Sequence, residues 1–359
     1  MAKRIIVVGA GIIGGSIAWH LAKAGAEVTV IDAVGLGGVA TANSWAWINA
    51  SWGNPEPYFR LRERSMLEWQ RIDLEVPGLL VDWCGGLLWD LPPDKLEAFA
   101  VEHSIWGYDV RRVNRDEALR IEPNLKQAPD FALHVPTEGK VEPVPAARAF
   151  LDSAASLGAT ILCDTKVKWL EEKGGRVVGV VIDDGVLHAD EVVIAAGAMA
   201  TSLLESVGVF VDLTAPAGLL VHSKPLGEVL RGLVISPELH VRQTSEGRLV
   251  AGSDFSGSVD LDNVEEATAE LYAKVQAMVG GSEHVDMEFH TMGFRPTPAD
   301  GFPMIGRPKN MPGLYLASMH SGVTLAPVVG LFASHELLED RRDQLLLPYH
   351  PDRLLKSIV

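Results

Sequence analysis

A short run of apolar residues, Arg4-Ile-Ile-Val-Val8, passes directly into Gly9-Ala-Gly11-Ile-Ile-Gly14 and then into a helical pattern. No other feature constrains the fold as tightly. A strand this uniformly apolar must be covered on both faces, the condition of a parallel sheet. The three glycines have separate duties. Gly9 permits a tight turn, Gly11 lets backbone approach a pyrophosphate, and Gly14 lets helix and strand pack closely. The helix is expected over Ser16 to Ala24, with Ile17, Leu21 and Ala24 on one stripe and Gly25 ending it. Its N-terminus, with Ile12 and Ile13, turns N–H groups and partial positive charge toward phosphates. A second strand, Glu27 to Ile31, brings Asp32 to its tip, 18 residues past Gly14, with Ala33 beside it. A carboxylate there accepts from a ribose 2′-OH and disfavours a 2′-phosphate.

The rest of the chain is long enough for two domains. At 359 residues, with 35 glycines and a net charge of −16, it suits an α/β protein and has no general attraction for nucleic acid or an anionic membrane. Lys3-Arg4 before an apolar run resembles the start of a signal peptide, but the glycines interrupt that run. No transmembrane span is expected. Two cysteines, Cys84 and Cys163, favour a reducing, cytoplasmic setting. The eleven histidines are scattered, so no metal is expected.

A second αβ block follows: a helix over Pro145 to Leu157, a strand over Ala159 to Lys168, a hairpin of Arg176 to Ile182 with Val186 to Ala189, and a buried strand from Glu191 ending at Gly197. Residues 83–137 and 209–291 differ in character, with alternating strands and one long helix from Asn263 to Val279. The expected fold is α/β with an α+β second part. A Rossmann-like domain (1–82, 138–208 and 292–359) carries an antiparallel-sheet substrate domain (83–137 and 209–291) inserted into it.

NAD and FAD both use the N-terminal fingerprint, so other segments must choose. Gly37-Gly38-Val-Ala-Thr41-Ala42-Asn43-Ser44 is a small-residue loop. Ala189-Asp190-Glu-Val-Val-Ile-Ala-Ala196-Gly197 is a strand and turn. Gly293-Phe-Arg295-Pro296 leads to Asp300-Gly301, and His320-Ser321-Gly322-Val323-Thr324-Leu325 opens an apolar helix running to Leu338. Together with the fingerprint, these resemble the D-amino-acid oxidase superfamily of flavoproteins, which includes glycine oxidase and sarcosine oxidase. The resemblance covers the whole chain in order.

That resemblance implies FAD as cofactor. It implies contacts from Gly9, Gly11, Ile12, Ile13, Gly14, Asp32, Ala33, Thr41, Ala42, Asn43, Ser44, Val167, Ala196 and Gly197. Ser321 to Leu325 would face the flavin pyrimidine, where a helix N-terminus stabilises negative charge as the ring is reduced. Arg295, of the "R-P" motif, would hold a substrate carboxylate in a bidentate fork. Its competing role is to brace a loop against Asp300 or Asp254. His240 and His320 are the other catalytic candidates, with His240, Arg242 and Trp47 as further substrate contacts. His240 and Arg242 share one strand face; His240 is alternatively a half-exposed strand histidine, and Arg242 a surface charge. Trp45, Trp47 and Trp52 either wall the pocket or supply core mass.

Two departures matter. Ala46 stands where some members attach flavin through a histidine, and no cysteine follows Cys163, so non-covalent FAD is expected. The glycine oxidase-like "H-x-R-N-G" is here His320-Ser321-Gly322, without its arginine. The implied activity is oxidation of the C–N bond of an amino acid or secondary amine (D-amino acid, glycine- or sarcosine-like, or opine-like). Hydride passes to flavin N5 and the imine is then hydrolysed. The acceptor is O2, or a quinone or flavoprotein in a dehydrogenase; the chain is alternatively a homo-oligomer or one subunit of an opine- or hydroxy-acid-oxidising complex.

Overall fold

The computed structural model describes residues 2–51, 53–253 and 263–355. A six-stranded sheet has the order Met304–Gly306, Leu314–Ser318, Glu191–Ile194, Arg4–Val8, Glu27–Ile31 and Thr160–Leu162. Its neighbours run parallel except the first pair. Alternation along the first strand explains its uniform apolarity. Ile5 and Val7 join one core cluster with the helices; Ile6 and Val8 join another with Leu170, Val177 and Val180 of a three-stranded antiparallel sheet. The sheet is thus sealed on both sides.

The helix side is built from Ile12–Lys23, Glu56–Asp73, Pro143–Ser156 and Gly322–Glu339. The first helix begins at Ile12, four residues earlier than its sequence pattern indicates, because Gly14 and Gly15 are helical glycines rather than part of a loop. Ala24 lies outside it and is exposed. The strand expected over Ala159 to Lys168 shortens to Thr160–Leu162. Asp164 then takes φ +50° and turns the chain away.

The second sheet has eight strands, in the order Met287–Phe294, Ala217–Ser223, Leu249–Gly252, His240–Gln243, Leu233–Ile235, Gly86–Leu88, Phe131–Val135 and Arg111–Asn114. Every pair is antiparallel except Leu233–Ile235 against Gly86–Leu88. That parallel pair joins strands from residues 83–137 to strands from residues 209–294. Val264–Met278 packs on this sheet through Leu271, Tyr272 and Val275. No helix of the described residues is long and apolar enough to cross a membrane.

Candidate active site

The fingerprint glycines are fixed by sterics. A Cβ on Gly14 would lie 1.8 Å from the Gly9 carbonyl oxygen, and one on Gly9, at φ +114°, 2.3 Å from that of Ala195. Helix and strand therefore touch at a distance only glycine permits. The Thr41 hydroxyl accepts from the Ile12 N–H at 3.1 Å. The Asp32 carboxylate accepts from Ala10, Val34 and Gly35 N–H groups at 2.7, 2.8 and 3.0 Å. It braces the glycine turn as well as standing at the second strand's tip. Thr165 donates to the Asp32 carbonyl, which brings the Val167 segment to the same sheet edge, with the Val167 side chain buried in the second core cluster. Ala196 and Gly197 (φ +57°) close that edge after Ile194. This is the crevice outside the carboxyl ends of the strands, where an α/β sheet binds dinucleotides.

A second helix, Gly322–Glu339, starts nearby. Ser321 precedes it at φ +56°, a left-handed conformation unusual for a residue with a Cβ. Pro327 lies in its second turn and has no N–H to give the Val323 carbonyl. Trp69 of the helix Glu56–Asp73 supplies the missing donor: its indole N–H lies 3.1 Å from the carbonyl oxygens of Val323 and Thr324. Ser65 donates to the Thr324 carbonyl at 2.6 Å. The Thr324 hydroxyl reaches Trp47 O at 2.9 Å. The helix start is thus locked from both sides.

The same helix brings Arg62 there, only 5% exposed. Its Nη1 donates to Ser321 Oγ at 2.9 Å, its Nε to Asn49 O at 3.0 Å, and its Nη2 to Asn49 Oδ1. It lies 5.4 Å from the Tyr58 ring centroid. These contacts fix His320. Arg62 can only donate, so Ser321 Oγ accepts from it and donates its own proton to His320 Nδ1, 2.8 Å away. His320 Nε2 then carries the other proton and donates to Gly301 O at 2.7 Å. Burial, and the charges of Arg62 and Arg295, push its pKa down to about 4. The ring is neutral with both nitrogens engaged. Ser321 and Gly301 thus hold the ring in one orientation.

Arg295 follows the strand Met287–Phe294 and is half-buried. A Cβ on Gly218, in the adjoining strand, would meet its Nη2 at 2.6 Å. A Cβ on Gly293 would lie 2.9 Å from Asn43 of the small-residue loop. Arg295 thus lies against the second sheet, close enough to His320 for its charge to act on that ring. Asp300 does not take it: that carboxylate is paired with Arg353 at 2.7 and 3.0 Å. Asp254 and Trp52 lie outside the described residues.

The wall formed by the second sheet differs from expectation. His240 is buried at 3% exposure, not half-exposed, and meets Trp45 edge-on at 4.7 Å. Arg242 is not a surface charge. At 2% exposure its Nη1 and Nη2 meet Glu142 at 3.0 and 3.4 Å and its Nε donates to Trp45 O at 2.7 Å. Its anion is already supplied by the protein. Trp47 is buried and donates to Glu138 Oε2 at 2.8 Å. Glu138 also accepts from Tyr108 Oη at 2.9 Å and Ser51 N at 3.3 Å, and burial pushes its pKa up to about 7.

Arg62, Asn49 and Glu138 are absent from the expected site. Arg62 had a readable signal. Tyr58, Leu61, Ser65, Trp69 and Ile72 form one buried helical stripe, and a lone arginine falls within it.

The glycine cradle, the helix N-terminus and the acid at the second strand fit a dinucleotide such as FAD. The sequence model of FAD dependent oxidoreductases of the DAO family matches residues 4–335. A glycine oxidase of Bacillus licheniformis is 28% identical over 344 residues, spanning 92% of each chain. The L-proline dehydrogenase of P. horikoshii superposes with a TM-score of 0.89 at 25% identity, over 98% of this chain and 97% of that one. The iminodiacetate oxidase of Chelativorans sp. BNC1 superposes with a TM-score of 0.84 at 25% identity, over 97% and 99%. With nearly the whole chain accounted for, it belongs to the DAO family and is an FAD-dependent oxidoreductase.

Proposed function

We propose that this enzyme oxidises the C–N bond of an amino acid or N-alkyl amino acid, with Arg295 holding the substrate carboxylate. The observation that carries the reading is the place of Arg295, half-buried against Gly218 of the adjoining strand and close enough to His320 for its charge to act on that ring. The relatives named glycine oxidase, iminodiacetate oxidase and L-proline dehydrogenase support an amine substrate bearing a carboxylate. FAD, when bound, supplies the two-electron acceptor. In this reading the fingerprint helix receives the pyrophosphate, Asp32 the ribose, and Ser321 to Leu325 the pyrimidine edge. Ala46 favours non-covalent attachment. Trp47, Trp45 and His240 shape the wall above the substrate and exclude water from it. Cys84 and Cys163 are both free thiols, which supports a cytoplasmic setting.

Anaerobic titration of the yellow holoprotein with amino acids and N-methyl amino acids tests the substrate class: one of them should bleach the flavin bands. Peroxide release under air then separates an oxidase from a dehydrogenase. Arg295→Lys should weaken binding of the bleaching substrate by about 2 kcal/mol, because a planar fork becomes a point charge. An unchanged KM and kcat in that variant would remove Arg295 from the role.

A further inference from the structure

Arg62 is a nearly fully buried cation whose partners are all neutral: a backbone carbonyl, an amide oxygen and a hydroxyl. Among the described residues no carboxylate pairs with it. An ionised group removed from water is costly unless an opposite charge compensates it, and a guanidinium does not neutralise itself by losing a proton. Asn49 and Ser321 hold it rigidly, so its position is built rather than incidental. Three of its five N–H bonds are used within the protein.

Its location narrows the missing anion. Arg62 sits one hydrogen bond behind Ser321, the residue that opens the Gly322–Glu339 helix. Positive charge from the guanidinium and from the helix N-terminus therefore fall on one spot. A substrate carboxylate must arrive and leave through solvent, and half-buried Arg295 suits that task. Arg62 is sealed and immobilised, and suits an anion that stays bound and changes charge in place.

We propose that Arg62 is the electrostatic counter-charge for the reduced flavin, acting through space on the negative charge that its pyrimidine edge gains on reduction. This rests on the placement of the pyrimidine edge at Ser321 to Leu325 proposed above. A positive charge beside the reduced ring stabilises it relative to the oxidised ring and raises the potential.

The test is the two-electron midpoint potential of the holoprotein, reduced by dithionite against a reference dye, in the wild type, Arg62→Met and Arg62→Lys. Arg62→Met should favour the oxidised flavin at least tenfold, a fall of about 30 mV for a two-electron couple. Arg62→Lys, which keeps the charge, should stay within threefold of wild type. Oxidised FAD should bind all three alike. An Arg62→Met potential equal to that of wild type would overturn the proposal, as would an equal fall in Arg62→Lys. If Arg62→Met does not yield holoprotein, Arg62→Gln carries the same reading with a neutral side chain that still bonds Asn49. Dithionite, not substrate, reduces the flavin. A holoprotein that no amine bleaches would therefore overturn the substrate reading and leave the Arg62 result standing.

Discussion

Two guanidiniums lie in the interior of this enzyme under nearly equal burial. Arg242, in the second sheet, faces the Glu142 carboxylate and the Trp45 carbonyl. Arg62, beneath the second helix start, has Asn49 and Ser321 as its hydrogen-bond partners among the described residues. The first is complete as the chain folds, and it ties the second sheet to the residue just before the Pro143–Ser156 helix. The second is complete only when something negative sits nearby. A buried cation with its own carboxylate is architecture; one surrounded by neutral acceptors points outward to a ligand. Residue type and burial do not separate the two cases. Partners do.

Stability measurements break the comparison most directly. Arg242→Met leaves the Glu142 carboxylate without its partner, and loss of one member of such a pair costs ~3–5 kcal/mol. Urea unfolding of the FAD-free protein should show that deficit. Arg62→Met removes an unpaired charge as well as its hydrogen bonds, so the two costs offset, and its change should be under about 2 kcal/mol. The Arg242→Met deficit should also depend on pH. Burial alone would raise the Glu142 pKa, but Arg242 outweighs it and holds the carboxyl below the usual range. A lowered carboxyl pKa gives stability that is present above the unfolded value, near ~4.3, and lost as pH falls through the folded one. The deficit should shrink as Glu142 is protonated, whereas the pH dependence of Arg62→Met should follow His320, easing as pH falls from ~6.5 toward about 4 because the variant no longer holds that imidazole's pKa down. Equal deficits in the two variants would dissolve the distinction.

Glu138 is the mirror image of Arg62: a carboxyl at 0% exposure among neutral donors, Trp47, Tyr108 and Ser51. It has an escape that Arg62 lacks, because it can keep a proton. Burial raises its pKa from 4.5 to about 7. Here the sign is reversed. The folded state holds a proton that the unfolded chain has lost, so its contribution is full below the unfolded pKa and disappears as pH rises through about 7. Between those limits the wild type should lose about 3 kcal/mol at most relative to Glu138→Gln, at 1.36 kcal/mol per unit. Unfolding of both proteins at a series of pH values measures the difference. A gap that does not change with pH would mean that Glu138 is ionised in the fold and that a cation must compensate it.

The same logic explains what the sequence could convey. Gly9, Gly14 and the apolar run before them are legible because each is dictated by local geometry: one turn, one close approach, two covered faces. Arg295 is legible through its motif, although only the fold sets it beside Gly218. That His240 and Arg242 share one strand face is legible, since strand alternation is local. Their burial was not legible, because Glu142 and Trp45 come from distant segments. Arg62 was missed for the opposite reason. Its helix reads as an ordinary amphipathic one, and the arginine inside its apolar stripe gains meaning only when Ser321, 259 residues away, arrives against it.

The mildest test concerns the two helix starts. The fingerprint helix is capped by a neutral group, the Thr41 hydroxyl on Ile12 N–H, with no acidic residue in its first turn. The other helix start has a cation one hydrogen bond away. Thr41→Val keeps the shape but removes the acceptor, and loss of such a cap costs about 1 kcal/mol. FAD-free stability should fall by that amount. The flavin potential should not move, because the phosphate end of the cofactor keeps its charge through the redox cycle. If Thr41→Val shifts the potential as far as Arg62→Met does, loosening of either helix start is enough to do so. Charge at Arg62 would then no longer be what sets the two termini apart.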